Sequence, residues 1–125
     1  MIDVLTCTND GRLAILELKA DEDIHLPLQG LDYWARVRWH QQSGGFLRNG
    51  YFAGRELSDA LPLLYLVAPA LRTHPSTDVL LRYLSPQIEW SVVQVDERWR
   101  EAVRVVNRKH PAIRSTADQR GSFEV

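Results

Sequence analysis

Two short apolar runs near the start of the chain predict a β-hairpin. Residues 2–7 and 13–18 are rich in strand-forming side chains, and the turn signal Asn9-Asp10-Gly11 separates them. Both alternating faces of these runs are apolar, a pattern typical of strands in a sheet that is covered on both sides. We therefore expect the hairpin to form part of a larger, buried sheet.

The next apolar pattern has the spacing of a helix. Pro27 suits a first helical turn, the pattern runs to about Gln42, and a Ser-Gly-Gly segment ends it. Helical spacing also predicts which apolar side chains face the sheet: Leu28, Leu31, Ala35 and Trp39.

Strands and helices alternate through the rest of the chain. Loop is predicted for most of residues 46–60, and the later regular elements are a strand at 63–68, a helix at 75–84 and a strand at 87–95. The expected inward side chains of that second helix are Val79, Leu80 and Tyr83.

The end of the chain leaves two alternatives open. Residues 97–108 fit either a helix or a return strand, and residues 116–125 predict a frayed polar tail. With either alternative, the order β-β-α-β-α-β predicts one α/β domain over residues 1–115, with a mixed central sheet flanked by helices.

Composition places the chain among ordinary globular proteins. Apolar residues make up 45% and charged residues 25%. No apolar run is long enough to cross a bilayer, and the N-terminus lacks the features of a signal peptide, so we expect no membrane partner. The single cysteine, Cys7, excludes an internal disulfide and favours a cytoplasmic location. Because a strand already starts at Ile2, we also expect a longer protein or a partner domain upstream.

Glu17 and Lys19 form the first candidate constellation, since alternate residues of a strand project to the same face. The position of Asp3 depends on the hairpin register. A three-residue loop, which Gly11 favours, pairs Thr8 with Arg12 and sets Asp3 opposite Glu17. A two-residue loop would turn Asp3 to the other face.

Two facing carboxylates repel each other unless a cation lies between them. Mg²⁺ or Mn²⁺ suits such a site, because these ions prefer oxygen ligands and keep water molecules for a substrate phosphate. Lys19 would then orient a water molecule and stabilise negative charge in the transition state. On the helix that follows, a polar row at helical spacing borders the apolar row and consists of Gln29, Tyr33, Arg36 and His40.

Asp3, then Glu17-Leu18-Lys19, then Gln29-x-x-x-Tyr33 resembles the PD-(D/E)XK nuclease superfamily, most closely its RecB-like branch. The resemblance implies a restriction-endonuclease-like fold. It implies that Asp3, Glu17 and the Leu18 carbonyl bind the metal, and that Lys19 is catalytic. It also implies site or nucleic-acid contacts for Gln29 and Tyr33, and the same row adds Arg36 as a phosphate contact.

Each motif also has a plainer interpretation. An E-x-K sequence alone usually forms a solvated ion pair, and the acidic run 21–23 predicts a solvated loop. The four tryptophans predict core or interface positions. The basic cluster is predicted to be a solvated face rather than a phosphate track, and consists of Arg98, Arg100, Arg104, Arg108 and Lys109.

Taken together, the motifs predict a Mg²⁺-dependent phosphodiesterase that acts on nucleic acid, with DNA as the expected partner. The net charge of −1 gives nucleic-acid binding no general electrostatic support. The alternative is therefore a non-catalytic module of the same fold that binds a partner protein or forms a homodimer.

Overall fold

A computed structural model describes residues 3–111 of the chain. Within this range five strands, three α-helices and one short 3-10 turn alternate along the chain. The strands are β1 (Val4–Cys7), β2 (Leu13–Leu18), β3 (Leu63–Pro69), β4 (Trp90–Val95) and β5 (Val105–Lys109). The helices are α1 (Leu26–Gln42), α2 (Gly45–Arg48) and α3 (Ser76–Leu81), and the 3-10 turn is Ala70–Arg72.

The strands form a single mixed sheet in the order β1-β2-β3-β4-β5. Strands β2, β3 and β4 run parallel, while β1 and β5 are antiparallel to their neighbours at the two edges. Parallel neighbours need long crossover connections, and the segments containing α1 and α3 provide them. The predicted α/β class with a mixed sheet and helices is confirmed.

The hairpin has the predicted three-residue turn. The Thr8 N–H donates to the Arg12 carbonyl at 2.8 Å, and Gly11 has φ +84°, in the left-handed region. Val4 consequently pairs with Leu16 and Cys7 with Leu13. The predicted register is confirmed, and it sets Asp3, just before β1, on the same face as Glu17.

Helix α1 begins and ends as predicted, but a different face packs on the sheet. Leu28 is 50% exposed and Trp39 is 63% exposed, so the expected inward row faces solvent along most of its length. The buried face instead contains Leu26, Gly30 and Val37. Gly30 explains the difference: a Cβ atom there would lie 2.6 Å from Leu66 Cδ2, so the helix approaches β3 most closely at a residue without a side chain.

Helix α3 is shorter than the predicted 75–84, and its inward face was predicted wrongly. Val79 is 49% exposed and Tyr83 is 83% exposed, whereas Thr77 and Leu81 are buried. Because the helix ends at Leu81, Tyr83 lies in the turn that follows and is not held against the sheet.

The two alternatives for residues 97–108 are resolved in favour of a return strand. A turn after Asp96 leads into β5, which pairs antiparallel with β4. The predicted tail at 116–125 lies outside the described residues.

The hairpin strands are covered less completely than expected. Leu13 and Ile15 are fully buried under α1. On the other face, Val4 is 38% exposed and Leu18 is 44% exposed. The core therefore lies mainly between the helices and the face of the sheet that α1 covers.

Candidate functional site

The candidate site lies at one end of the sheet, where the parallel strands β2, β3 and β4 reach their carboxyl ends. In open α/β sheets, ligand sites lie outside the carboxyl ends of the strands. Glu17 is the last buried residue of β2, and the predicted register carries Asp3 to its side.

Glu17 is a carboxylate placed in the core. Its side chain is 2% exposed, and its strand neighbour across the β2–β3 pairing is the fully buried Leu66. Burial, and secondly the charge of Asp3, raises the pKa of Glu17 above its usual value, while Lys19 opposes the shift. The Oε2 atom of Glu17 is buried and has no hydrogen-bond partner among residues 3–111. A group with these properties is costly to the apo fold, because a buried polar atom normally has a partner.

Asp3 is exposed and is anchored by the neighbouring strand. Its Oδ2 atom accepts a hydrogen bond of 2.8 Å from the Leu18 N–H. The N–H and C=O groups of one strand residue point to the same side of the strand, so the Leu18 carbonyl also opens toward Asp3. Two carboxylates and one backbone carbonyl therefore lie around the end of the β1–β2 pair.

Lys19 continues the sheet past the end of β2. Its N–H donates to the Val67 carbonyl at 3.0 Å, and its side chain is on the same face as Glu17. The Lys19 ammonium also lies 3.6 Å from Asp23 Oδ2. The backbone N–H of His25 is the main cause that lowers the pKa of Asp23. The acidic loop, predicted to be solvated, thus supplies one carboxylate that holds the lysine.

Of the polar row on α1, Gln29 and Tyr33 lie on the part of the helix that follows β2. Gln29 is in the first turn, next to Gly30, which packs over Leu66, the strand neighbour of Glu17. The Oε1 atom of Gln29 is buried and has no hydrogen-bond partner among the described residues. Tyr33, one turn further, packs against the core.

The other two residues of that row lie elsewhere. The Arg36 guanidinium is 67% exposed and forms an ion pair of 3.1 Å with Asp32. His40 lies three turns beyond Gln29, about 16 Å along the helix axis. It contacts the rings of Trp39 and Phe46 at the far end of α1, so it is not part of the candidate site.

Sequence reasoning missed a polar network on the same face, one step closer to the carboxyl ends of the strands. Gln94 is 8% exposed and donates to the Thr73 hydroxyl at 3.1 Å, while Asn107 donates to the Gln94 side-chain oxygen at 2.8 Å. The signal was present in the sequence, because Gln94 interrupts the valine run Val92-Val93-x-Val95.

A second missed contact joins the acidic loop to the start of α3. His74 Nδ1 accepts a hydrogen bond of 3.0 Å from the Ser76 N–H, and His74 Nε2 lies 3.7 Å from Glu22 Oε1. His74 directly precedes the predicted helix at 75–84, and no sequence pattern indicated that it approaches the loop after Lys19.

The residues present fit a hard divalent cation. Among residues 3–111, no group of three or more His, Cys, Asp or Glu side chains is placed to hold a metal ion. A metal here would thus take two carboxylates and a backbone carbonyl as its protein ligands, leaving positions for water. The unpartnered Oε2 of Glu17 is the atom that such an ion would satisfy.

Comparison with known proteins adds no further assignment. No known protein family, curated protein or solved structure matches this chain. Within the described residues, no helix has the length and apolar character required to cross a membrane.

Proposed function

We propose that this chain is a divalent-metal-dependent phosphodiesterase that cleaves nucleic acid, with a restriction-endonuclease-like sheet and a PD-(D/E)XK-type site. The observation that supports it is the Glu17 carboxylate, which is buried beside Asp3 and retains an unpartnered oxygen. A purely structural position would favour an apolar residue there, because replacing a buried charge with an apolar side chain is often neutral or stabilising.

Asp3, Glu17 and the Leu18 carbonyl would hold Mg²⁺ or Mn²⁺. When bound, the ion supplies a Lewis acid for the phosphate and lowers the pKa of a coordinated water molecule. In the reaction, the water oxygen forms a bond to phosphorus while the bond from phosphorus to one sugar oxygen breaks. The water proton passes to solvent, and the leaving oxygen gains a proton from solvent.

The chain's own residues orient these groups. The Lys19 ammonium lies on the Glu17 face of the strand end, where it can hydrogen-bond the attacking water or a phosphate oxygen, and Asp23 fixes its position. Gln29 has a buried amide oxygen in the first turn of α1, and Tyr33 packs against the core one turn later; in this proposal both would position the substrate. Arg36 would contact a phosphate further along the substrate by exchanging Asp32 for it.

The test combines a cleavage assay with a binding readout that needs no turnover. With millimolar Mg²⁺ or Mn²⁺, the wild-type chain should cleave DNA and its melting temperature should rise. Glu17→Gln should abolish both effects, since it removes the buried charge. Lys19→Met should abolish cleavage but retain the metal-induced rise. Glu56→Gln, at an exposed glutamate far from Asp3, serves as the matched control and should behave like wild type.

Metal-free stability adds an independent check of Glu17. Because burial and Asp3 both disfavour its charged form, Glu17→Gln should raise the metal-free melting temperature at neutral pH by a few degrees. If Glu17→Gln is neutral in apo protein and the wild type gains no stability from Mn²⁺, the metal-site proposal is wrong.

A second candidate function is supported by the apolar character of the β5 edge. Val105 is 44% exposed and Val106 is 46% exposed, on a strand whose outer edge pairs with no other described strand. Exposed strand edges of this type can pair with another chain. In that case the chain would be a non-catalytic module, and sedimentation analysis should show a dimer that Val106→Lys dissociates.

A further inference from the structure

A concave surface lies on the face of the sheet end opposite Glu17. It is a groove of about 340 Å³, walled almost entirely by apolar atoms. We call it the Trp99 groove, and its main lining residues are Leu18, Val67, Pro69, Val95, Trp99 and Val103.

The groove adjoins the candidate catalytic site across the edge of one strand. Leu18 projects to the face opposite Glu17, because consecutive strand residues point to opposite faces. Lys19 follows directly and lines the rim of the groove. A substrate whose phosphate lay against Glu17 and Lys19 would therefore have its next group within reach of the Trp99 groove.

The charge around the groove is suited to a phosphate-bearing ligand. The Arg100 guanidinium lies over the Trp99 ring, 4.4 Å from its centroid, and holds one face of the indole. Arg104 follows the lining residue Val103. Among residues 3–111, neither Arg100 nor Arg104 forms an ion pair, whereas Arg98 is paired with Asp96 at 3.8 Å. Arg100 is thus a cation beside the groove that phosphate oxygens can approach. The four arginines of the basic cluster are exposed, as predicted for a solvated face.

We propose that the Trp99 groove receives an unstacked nucleobase of the nucleic acid that is cleaved at the neighbouring site, so that the preferred substrate is single-stranded or locally opened. The nature of this ligand rests on the proposed function. Bases in a duplex are stacked and cannot enter a lateral groove, whereas single strands offer free aromatic faces to tryptophan. An apolar peptide would fill the same groove but would offer the Arg100 cation no phosphate.

The experiment measures binding in chelator, so that no cleavage is needed. The probes are oligodeoxythymidine and an abasic oligonucleotide of the same length, which has the same phosphates but lacks bases. Wild type should bind the thymidine probe about tenfold more tightly than the abasic probe, a ratio typical of one stacked base. Trp99→Ala should bring the thymidine affinity down to the abasic value and leave the abasic affinity unchanged.

Trp39→Ala is the matched control, because Trp39 is exposed near the end of α1 and away from the groove. It should keep the tenfold preference. Val103→Ser is a second variant that tests the groove if Trp99→Ala does not fold. Because Val103 is 77% exposed, its replacement should leave the circular dichroism spectrum unchanged. It should reduce the preference for the thymidine probe about threefold.

The outcomes separate this inference from the proposed function. Equal wild-type affinity for both probes, or an unchanged preference in Trp99→Ala, overturns the base-binding groove even if the chain cleaves DNA. A preference that depends on Trp99 in a chain that shows no cleavage supports the groove and contradicts the nuclease proposal. A third outcome assigns the groove to a protein partner and overturns the inference. In that case an apolar peptide displaces the thymidine probe, and Arg100→Gln does not change the salt dependence of probe binding.

Discussion

At the residue scale, the candidate site contains polar atoms that are buried and have no hydrogen-bond partner within residues 3–111. Glu17 Oε2 and Gln29 Oε1 are both of this type, and they belong to neighbouring elements at the same end of the sheet. Each such atom costs the folded state about 1–3 kcal/mol. An apolar residue of the same shape at either position would remove this cost, so both atoms favour a binding position over a packing defect.

Asp10 in the hairpin turn gives a prediction at this scale. A hydrogen bond from the Thr8 hydroxyl is the largest cause that lowers the pKa of Asp10. A carboxylate with a depressed pKa in the folded state stabilises the fold above its unfolded pKa, and this contribution is lost as the pH falls below about 4. The stability difference between wild type and Asp10→Asn should therefore shrink as the pH falls from 6 to about 2, as measured by urea unfolding.

Thr8→Val provides the control for that measurement. It removes the donor of the same hydrogen bond, so its effect and that of Asp10→Asn should not be additive in the double variant. Additive effects, or a difference that is constant over the acid range, would show that the Thr8–Asp10 contact does not stabilise the turn.

The sequence predicted the residue pairs that depend on local geometry. Asp3 faces Glu17 because Gly11 takes a left-handed conformation and fixes the length of the turn, a relation visible in Asn9-Asp10-Gly11. The contact between Glu22 and His74 was not predictable in this way. It depends on how two loops from distant parts of the chain approach each other. Neither residue belongs to a periodic hydrophobic pattern from which its position could be predicted.

At the element scale, helix α1 shows why bounds are easier to predict than faces. Pro27 and the Ser-Gly-Gly segment mark its ends directly. Its inward face is centred on Gly30, which contributes nothing to an apolar pattern. The exposed Leu28 and Trp39 dominated the pattern and gave the wrong face. A close helix–strand approach through glycine is invisible to hydrophobic periodicity.

Gly30→Ala tests this packing. Alanine favours a helix interior by about 1 kcal/mol over glycine. Here its Cβ would meet Leu66 Cδ2 at 2.6 Å and Leu64 Cδ1 at 3.2 Å, and both leucines are buried with no room to move. Overpacking of about 1–3 kcal/mol should outweigh the gain, so the free energy of unfolding should fall by about 1 kcal/mol.

Ala35→Gly on the exposed side of the same helix calibrates the propensity term, and it should cost about 1 kcal/mol. A Gly30→Ala variant that is more stable than wild type would mean that α1 does not press on β3 as described.

The Arg36–Asp32 pair gives a second prediction for α1. The pair is exposed and holds Arg36 away from a ligand, so Asp32→Ala should release Arg36 and strengthen nucleic-acid binding. Arg36→Ala should weaken binding and reduce the slope of log affinity against log salt by about one phosphate. Arg48→Ala, on α2, is the control and should leave the slope unchanged. Equal slopes for wild type and Arg36→Ala would make the Arg36 face an ordinary solvated surface.

At the scale of the whole molecule, the sheet brings together residues from different parts of the chain at one edge. The carboxyl ends of three parallel strands carry the Glu17 site on one face and the Trp99 groove on the other. The alternation of strands and helices was enough to predict an α/β sheet. The groove was not predictable, because it depends on β5 returning beside β4 and on how the loop before it folds back.

The strand pairings also imply an order of events in folding. Asp3 approaches Glu17 through the hairpin, the most local pairing in the sheet. Glu17 becomes buried only when β2 pairs with β3, which lies beyond α1 and the long loop in the chain. Pairings between distant segments cost loop-closure entropy before their contacts reward it, so we expect the packing around Glu17 to be completed late. We therefore expect the proposed cation site to be completed after the folding transition state. If it binds Mn²⁺, a hundredfold excess of Mn²⁺ over its Kd should slow unfolding by about a hundredfold and leave refolding nearly unchanged. Stopped-flow unfolding and refolding with and without Mn²⁺ measures both rates, and equal acceleration of refolding would show that the site forms early. A metal bound in this way would stabilise the native state kinetically, because it would slow unfolding without speeding folding.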